Sequence, residues 1–184
     1  MTERTKRRLI VVLIPVICIL LDQLSKQFAK QTLYGAPARL VAAGMLRIEY
    51  TENPGAFLSL GANLPDELRF VVFTVFVVAL LIGLAVFAWR MSDDTPMAVV
   101  VAIALVIGGG VSNLIDRLAN DGRVVDFMQL GVGPLHTGVF NVADVAIMGG
   151  LALMLVSLFL EGRRSSGETR EMQETKEMRE TEVD

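Results

Sequence analysis

The segment FVVFTVFVVALLIGLAVFAW, residues 70–89, contains twenty consecutive residues without a charge. As an α-helix, at about 1.5 Å per residue, it would span roughly 30 Å, which is the thickness of the hydrocarbon core of a bilayer. The segment therefore predicts a membrane-spanning helix, and this prediction sets the fold class of the whole chain.

The composition agrees with a membrane protein. Hydrophobic residues make up 53% of the 184 residues, more than an ordinary soluble domain of this size carries. The formal net charge is −3, but the segment 161–184 alone contains eight acids and five bases, so the first 160 residues balance to zero. The acidity belongs to the C-terminal segment and gives no indication of a nucleic-acid partner.

Three further apolar segments resemble the first, and together the four predict spans at about residues 8–28, 68–89, 96–116 and 140–160. We therefore expect an all-α membrane protein, a bundle of four transmembrane helices that forms a single domain over residues 1–160. The charged segment that follows lacks an apolar face and is predicted to be a disordered cytoplasmic tail over residues 161–184.

Four spans would place both termini on the same side of the membrane. Basic residues flank these ends, which predicts that both termini are cytoplasmic. They are Arg4, Lys6, Arg7, Arg8, Arg163 and Arg164. The long connections at about 29–67 and 117–139 would then face outward. Alternation in MLRIEYTE, residues 45–52, predicts short extracytoplasmic strands that rest on the membrane surface.

Polar residues occur at the outward ends of the predicted spans, where a charge placed in lipid costs several kcal/mol and by default marks function. Asp22 and Lys26 are four residues apart and therefore share a helix face. The other members are Asn113, Asp116 and Arg117 in the third span, Asp126 in the outer connection, and Asn141 and Asp144 at the start of the fourth span.

Structural roles could account for part of this set. Ion pairs at helix ends would explain two pairs of charged residues, Asp22 with Lys26 and Asp116 with Arg117. Asn141 is placed to cap the fourth helix, with Asp144 at the third helical position as the acid of a capping box. Asp126 has no such local explanation, because apolar residues bracket it in GRVVDFMQL.

Glycines in the third and fourth spans predict close helix contacts, because small residues let membrane helices approach. They are Gly108, Gly109, Gly110, Gly149 and Gly150. No P-loop or dinucleotide-binding pattern is present in the sequence.

The sequence lacks the residues that other common catalytic arrangements require. His136 is the only histidine, which excludes a multi-histidine metal site, and no Gly-x-Ser-x-Gly elbow exists. Two close carboxylates do not readily both ionise, so one keeps a proton while the other acts as a base. Asp126 and Asp144 are the predicted pair, and Asp144 holds the negative charge more readily because it lies near a helix N-terminus.

Five motifs occur in a specific order: DQLSK (22–26), ENPGAF (52–57), SNLIDRL (112–118), GRVVDF (122–127) and FNVAD (140–144). In these motifs, their order and the lengths between them, the chain resembles the lipoprotein signal peptidases (signal peptidase II), which are bacterial inner-membrane aspartyl proteases. Ser112 stands where the family usually has Gly, and Phe57 stands where Ala is usual.

The resemblance implies that Asp126 and Asp144 are the catalytic pair, with no metal and no cofactor. It implies supporting roles for Asp22, Lys26, Asn53, Gly55, Asn113, Asp116, Arg117 and Asn141. The implied substrate is a prolipoprotein whose cysteine already carries diacylglycerol, and the enzyme cuts just before that cysteine. The implied setting is the inner membrane, with the site near its outer boundary, membrane lipids as partners and a monomeric enzyme.

Two other classes of function remain open from the residues alone. A small transporter or proton-relay subunit also uses intramembrane carboxylates, but would favour ionisable groups near the bilayer midplane. A non-enzymatic assembly protein would need no carboxylate pair, and Asp to Asn changes would then act only through stability.

Overall fold

The computed structural model describes residues 1–54 and 65–181; for residues 66, 67, 69, 70, 72, 73 and 164–181 it describes the backbone alone. Its elements in chain order are α1 Glu3–Leu33, β1 Arg39–Val41, β2 Leu46–Asn53, α2 Asp66–Arg90, α3 Met97–Ala119, β3 Val124–Val132, β4 Leu135–His136 and α4 Val142–Thr181. Gly55 and Phe57, which were singled out in the sequence, lie outside the described residues.

Three of the described helices are long and apolar enough to cross a membrane: Glu3–Leu33, Met97–Ala119 and Val142–Arg163. They match the first, third and fourth predicted spans. The second predicted span falls in α2, whose described apolar part is the shorter segment Thr74–Arg90. The structure therefore confirms a largely helical membrane protein, and the count of four crossings stays a prediction.

The helix α3 lies at the centre of the bundle and packs against α1, α2 and α4. In the most apolar segment of α3, 50% of the residues are buried, against 17% in the corresponding segment of α1 and 11% in that of α4. Large apolar side chains on the outer helices stay exposed, among them Leu24, Phe76 and Leu155. Such continuous apolar exposure suits a surface that faces lipid.

Glycines allow α3 to approach its neighbours closely. A Cβ added at Gly108 would lie 2.8 Å from the Pro15 Cα on α1, and one at Gly150 would lie 2.6 Å from the Ala102 carbonyl oxygen on α3. The predicted contact role is thereby confirmed for these positions, and also for Gly109, which faces the start of α4. It is wrong for Gly149, which faces open space because it points away from α3.

The neighbouring glycines of α4 give a matched test of this packing. Gly150→Ala is expected to lower the free energy of unfolding by about 1–3 kcal/mol, because the new methyl group overpacks the α3 contact. Gly149→Ala gains the same helix propensity without the clash, so it should leave stability unchanged or raise it by up to about 1 kcal/mol. Thermal unfolding in detergent measures both, and equal melting temperatures would contradict the close approach.

The two long connections between helices form one antiparallel sheet in the order β1-β2-β3-β4. The strand predicted around residues 45–52 is confirmed as β2. The strands β3 and β4 were not predicted, and β3 is the longest of the four. In the β2–β3 register Thr51 lies opposite Asp126 and Asn53 lies opposite Val124. This pairing joins the two long connections, which are distant in the chain.

The helix α4 continues beyond its apolar part to Thr181. The described backbone is helical over residues 161–181, and the disorder that the composition indicates for this segment stays a prediction. Glu, Arg, Lys, Met and Gln, which dominate this segment, are good helix formers and can extend a helix that has already been nucleated.

Candidate active site

A tight turn connects the end of α3 to β3. The Asn120 N–H donates to the Asp116 carbonyl at 2.8 Å. Asp121 and Gly122 then take positive φ angles of 52° and 83°, which glycine adopts freely and aspartate tolerates better than most residues. The chain thus returns along the end of α3, where the Val125 N–H donates to the Asp116 carboxylate at 2.9 Å.

Phe140 fixes the start of α4 beside β3. Its N–H donates to the Met128 carbonyl at 2.7 Å, and its own carbonyl accepts from the Met128 N–H at 2.9 Å. Asn141 and Asp144 follow within four residues. This backbone pairing therefore places the first turn of α4 next to Asp126.

Asp126 is only 2% exposed, and each of its carboxylate oxygens accepts a hydrogen bond from an amide side chain. Asn141 Nδ2 donates to Oδ1 at 2.7 Å, and Asn53 Nδ2 donates to Oδ2 at 3.0 Å. Asn53 reaches Asp126 because Thr51 lies opposite Asp126, and Asn53 is two residues further on the same face of the sheet.

Asp144 and Asn141 form the predicted capping box at the start of α4. The Asp144 N–H donates to Asn141 Oδ1 at 2.9 Å, and the Asn141 N–H donates to Asp144 Oδ2 at 3.1 Å. The other Asp144 oxygen accepts from Asn113 Nδ2 at 3.0 Å. Asn141 therefore contacts both Asp126 and Asp144, and it fixes the two carboxylates relative to each other.

Asn113 links this pair to a buried charge cluster. Its Oδ1 accepts from Lys26 Nζ at 2.9 Å and from Asn141 Nδ2 at 3.1 Å. Because its Nδ2 is the group that holds Asp144, both ends of the Asn113 amide are engaged. The orientation of this amide thus depends on the position of the Lys26 ammonium.

Lys26 lies between two aspartates in the interior. Its Nζ is 2.6 Å from Asp22 Oδ2 and 3.0 Å from Asp116 Oδ2, and the three side chains are 4%, 0% and 5% exposed. The predicted Asp22–Lys26 pair is confirmed. The Asp22 Oδ1 atom also accepts the Ala143 N–H at 2.8 Å, so α1 holds the first turn of α4 directly.

The expected pairing of Asp116 with Arg117 is wrong. Asp116 faces Lys26, whereas Arg117 Nη1 donates to the Asn113 carbonyl at 3.2 Å. Adjacent residues on a helix point about 100° apart, so Asp116 and Arg117 face different neighbours. The Arg117 charge instead acts electrostatically on Asp144 and Asp126 as well as on Asp116.

Two members of the network received no role from the sequence. Ser112 is fully buried, and its hydroxyl donates to Asp22 Oδ2 at 2.7 Å. Gln23 Nε2 donates to Ser112 Oγ at 3.1 Å and to Asp116 Oδ1 at 2.8 Å. A polar residue next to Asp22 in an apolar helix was the available indication for Gln23. The sequence gives no indication for Ser112 beyond its departure from the family pattern.

Burial raises the pKa of Asp126 to about 6. The negative charge of Asp144 acts in the same direction, while the amides of Asn53 and Asn141 and the charge of Lys26 lower the pKa. Asp126 is therefore a carboxyl group that can hold a proton at mildly acidic pH, next to a second carboxylate that is less buried. Such an arrangement can supply one acid and one base to a single substrate.

The only histidine lies away from this network. His136 is exposed on β4, where its Nδ1 atom is 3.2 Å from the Pro134 carbonyl oxygen. Over residues 1–54 and 65–181, no group of three or more His, Cys, Asp or Glu side chains is arranged to hold a metal ion.

Residues 14–160 match the family model described as signal peptidase (SPase) II. The chain belongs to the signal peptidase II family. It is 32% identical to the lipoprotein signal peptidase of Syntrophus aciditrophicus (strain SB), over 88% of this chain and 99% of the relative. It is 36% identical to the lipoprotein signal peptidase of Geobacter sulfurreducens, over 80% of this chain and 90% of the relative.

Two solved structures, each described as a bacterial membrane enzyme, have a similar fold. The first has a TM-score of 0.69 and 26% sequence identity, and the alignment covers 83% of this chain and 88% of the chain in that structure. The other gives 0.70 at 27% identity, with coverages of 80% and 91%. The segment that matches the signal peptidase II model, residues 14–160, includes every residue of the network described above. It ends before the charged part of α4.

Proposed function

We propose that this chain is an aspartyl endopeptidase that removes the signal peptide from diacylglyceryl-modified prolipoproteins by cutting just before the lipidated cysteine. The observation that carries the chemistry is that Asn141 holds both Asp126 and Asp144. The substrate class is supported by the relatives, which are named lipoprotein signal peptidase.

Asp144 is the proposed base. It lies in the first turn of α4, where the helix dipole favours a negative charge, and two N–H donors hold its oxygens. It is also less buried than Asp126, so water reaches it more readily. Asp126 is the proposed acid, because its surroundings favour the protonated form.

In the proposed reaction, Asp144 takes a proton from water, and the water oxygen bonds to the scissile carbonyl carbon. Asp126 gives its proton to the carbonyl oxygen, which produces a tetrahedral diol. The C–N bond then breaks as Asp144 returns its proton to the leaving nitrogen and Asp126 recovers a proton from a diol hydroxyl. Both groups end in their starting protonation states.

Apolar surface beside the pair supports a lipid-modified substrate. Val145 and Met148 on α4 are 54% and 53% exposed, and Leu118 at the end of α3 is 62% exposed. The acyl chains of the substrate can stay against such surface in lipid, while the peptide reaches the carboxylates. The proposed position at a membrane boundary favours hydrolysis over transport, because a transporter would place its carboxylates near mid-span.

The proposed setting is the bacterial inner membrane, with four crossings, both termini in the cytoplasm and the site near the outer boundary. The basic residues near both ends support this orientation. The buried network is formed within one chain, which supports a monomeric enzyme with membrane lipids as its surroundings. Gly55 retains its implied supporting role as part of the proposal.

The function is tested by incubating the purified full-length protein with a diacylglyceryl-modified prolipoprotein and following the electrophoretic mobility shift on loss of the signal peptide. We expect cleavage of the modified substrate and little cleavage of the same preprotein before modification. A transporter or an assembly protein would cleave neither, and that result would exclude the proposal.

The pH dependence of cleavage follows from the proposed acid. Because Asp126 must be protonated and its pKa is about 6, kcat/KM is expected to fall as the pH rises above that value. The fall should approach about tenfold per pH unit on the alkaline side. A pH–rate profile between pH 5 and 8 measures it, and a value that rises throughout this range would contradict Asp126 as the acid.

A further inference from the structure

A second cluster of charged side chains lies at the other end of α1 from Asp22. Arg4, Arg7 and Arg8 line a small cavity that opens to solvent, together with residues from the end of α2 and the start of α3. Asp93 is the one acid among the described lining residues, so arginines outnumber acids three to one. The cavity therefore favours an anion.

Arg7 has hydrogen-bond donors in this cavity that are not used within the described part of the chain. Its Nη2 atom donates to the Asp93 backbone carbonyl at 2.7 Å, which holds the guanidinium in place. Its Nε and Nη1 atoms are buried, and within the described part of the chain they have no hydrogen-bond partner. Buried donors of this kind are rarely left without a partner, and a phosphate oxygen is a partner that a guanidinium prefers.

Arg8 is also held in place, by a contact with an aromatic ring. Its guanidinium carbon lies 4.8 Å from the ring centroid of Trp89, near the end of α2. Lys6, in contrast, pairs with Glu3 at 2.6 Å and adds no free charge. Tryptophan and basic residues are enriched where a membrane helix meets the head groups, which places this cavity at that level.

The inner side of the cavity is apolar. Val11, Ala88 and Val100 line it, and Ala88 and Val100 are buried in the bundle. The backbone amides of the α1 N-terminus are not the binding groups, because Thr2 already caps that end. Cationic side chains above an apolar wall suit an amphipathic anion better than a free one.

We propose that this arginine cavity binds the phosphate group of an anionic phospholipid. Arg7 and Arg4 contact the phosphate oxygens, Arg8 is positioned by Trp89, and the acyl chains lie on the apolar side. The site is independent of the peptidase chemistry and would anchor the ends of α1, α2 and α3 in one membrane leaflet.

Trp89 is the only tryptophan, so its fluorescence reports on this cavity directly. The purified full-length protein in a nonionic detergent is titrated with phosphatidylglycerol, phosphatidylcholine or inorganic phosphate. We expect a saturable change in emission with phosphatidylglycerol and none with phosphatidylcholine. Inorganic phosphate should need a concentration at least about 100-fold higher, because it gains nothing from the apolar wall.

Three variants define the site. The double variant Arg4→Gln/Arg7→Gln should raise the apparent Kd for phosphatidylglycerol about tenfold or more, since two charge-assisted contacts are lost. Arg7→Lys keeps the charge but loses the planar fork, and should raise the Kd about threefold. Arg163→Gln removes an arginine that contacts Phe159 on α4, outside the cavity, and should leave the Kd unchanged.

Several results would overturn the proposal. Equal responses to phosphatidylglycerol and phosphatidylcholine would show that no anionic group is recognised. A double variant with the wild-type Kd, or an equal loss in Arg163→Gln, would show general attraction of charge. Inorganic phosphate as potent as phosphatidylglycerol would exclude a lipid as the ligand.

Discussion

Asp126→Asn and Asp144→Asn are each expected to reduce the rate of prolipoprotein cleavage by about 10³-fold or more, because each variant removes an acid or base from the transition state. Asparagine preserves the size of the side chain. The rate is measured as kcat on the diacylglyceryl-modified substrate with purified variants. Asp121→Asn is the matched control, since Asp121 is an exposed aspartate in the α3–β3 turn and takes a conformation that asparagine also adopts.

The loss of activity should not reflect unfolding. A carboxyl group whose pKa is raised by folding destabilises the folded state once the pH exceeds its unfolded pKa, because the folded state then holds an unfavourable charge. The pKa of Asp126 is raised to about 6, so Asp126→Asn removes an unfavourable charge at pH 7.5. It also loses one of the two amide hydrogen bonds, so its free energy of unfolding should stay within about 1 kcal/mol of the wild type. Wild-type turnover in either Asn variant would contradict the carboxylate pair.

Lys26→Met is expected to lower the free energy of unfolding by about 3–5 kcal/mol, because it leaves two buried carboxylates without their cation. Asp22 and Asp116 both contact the Lys26 ammonium, and all three side chains are buried. The measurement is thermal or denaturant unfolding of the purified protein in detergent. Activity should fall as well, since Lys26 also holds the Asn113 amide that contacts Asp144.

Lys30→Met is the control for this prediction. Lys30 lies one turn further along α1 and is exposed, so its replacement should change stability by less than about 0.5 kcal/mol. Equal effects of the two substitutions would show that Lys26 is not a structural centre of the network. A stable Lys26→Met variant with normal activity would contradict its link to Asp144.

Local patterns gave correct predictions for the apolar helices and for two contacts between residues three or four apart on one helix. The apolar runs predicted the helices, because the length of a segment without charge is a direct requirement of the bilayer. The spacing of four residues predicted the contact between Asp22 and Lys26, and the spacing of three predicted the capping box of Asn141 and Asp144. Each of these contacts lies within one turn of one helix.

Contacts between distant segments could not be predicted in this way. The pairing of β2 with β3 brings Asn53 to Asp126, and neither strand alone specifies its partner or its register. Asp116 was expected beside Arg117 but contacts Lys26 on another helix. Gly149 and Gly150 are alike in sequence, and only the packing of α4 on α3 shows which of them is in contact.

Ser112 shows how a departure from a family pattern acquires a physical explanation. Its hydroxyl lies between Asp22 and Gln23, donating to the carboxylate and accepting from the amide. The position is fully buried, so a hydroxyl there requires partners, and the network supplies them. The Ser112 hydroxyl thereby holds the same Asp22 carboxylate that accepts the Ala143 N–H in the first turn of α4.

The most direct test of the central claim is the mass of the products formed when the purified protein acts on a diacylglyceryl-modified prolipoprotein. The proposed function predicts two species from wild-type protein: a signal peptide that ends at the residue before the lipidated cysteine, and a mature protein that begins with that modified cysteine. Asp126→Asn protein treated in the same way should leave the precursor mass unchanged. An intact precursor with the wild-type protein, or cleavage at any other bond, would contradict the account.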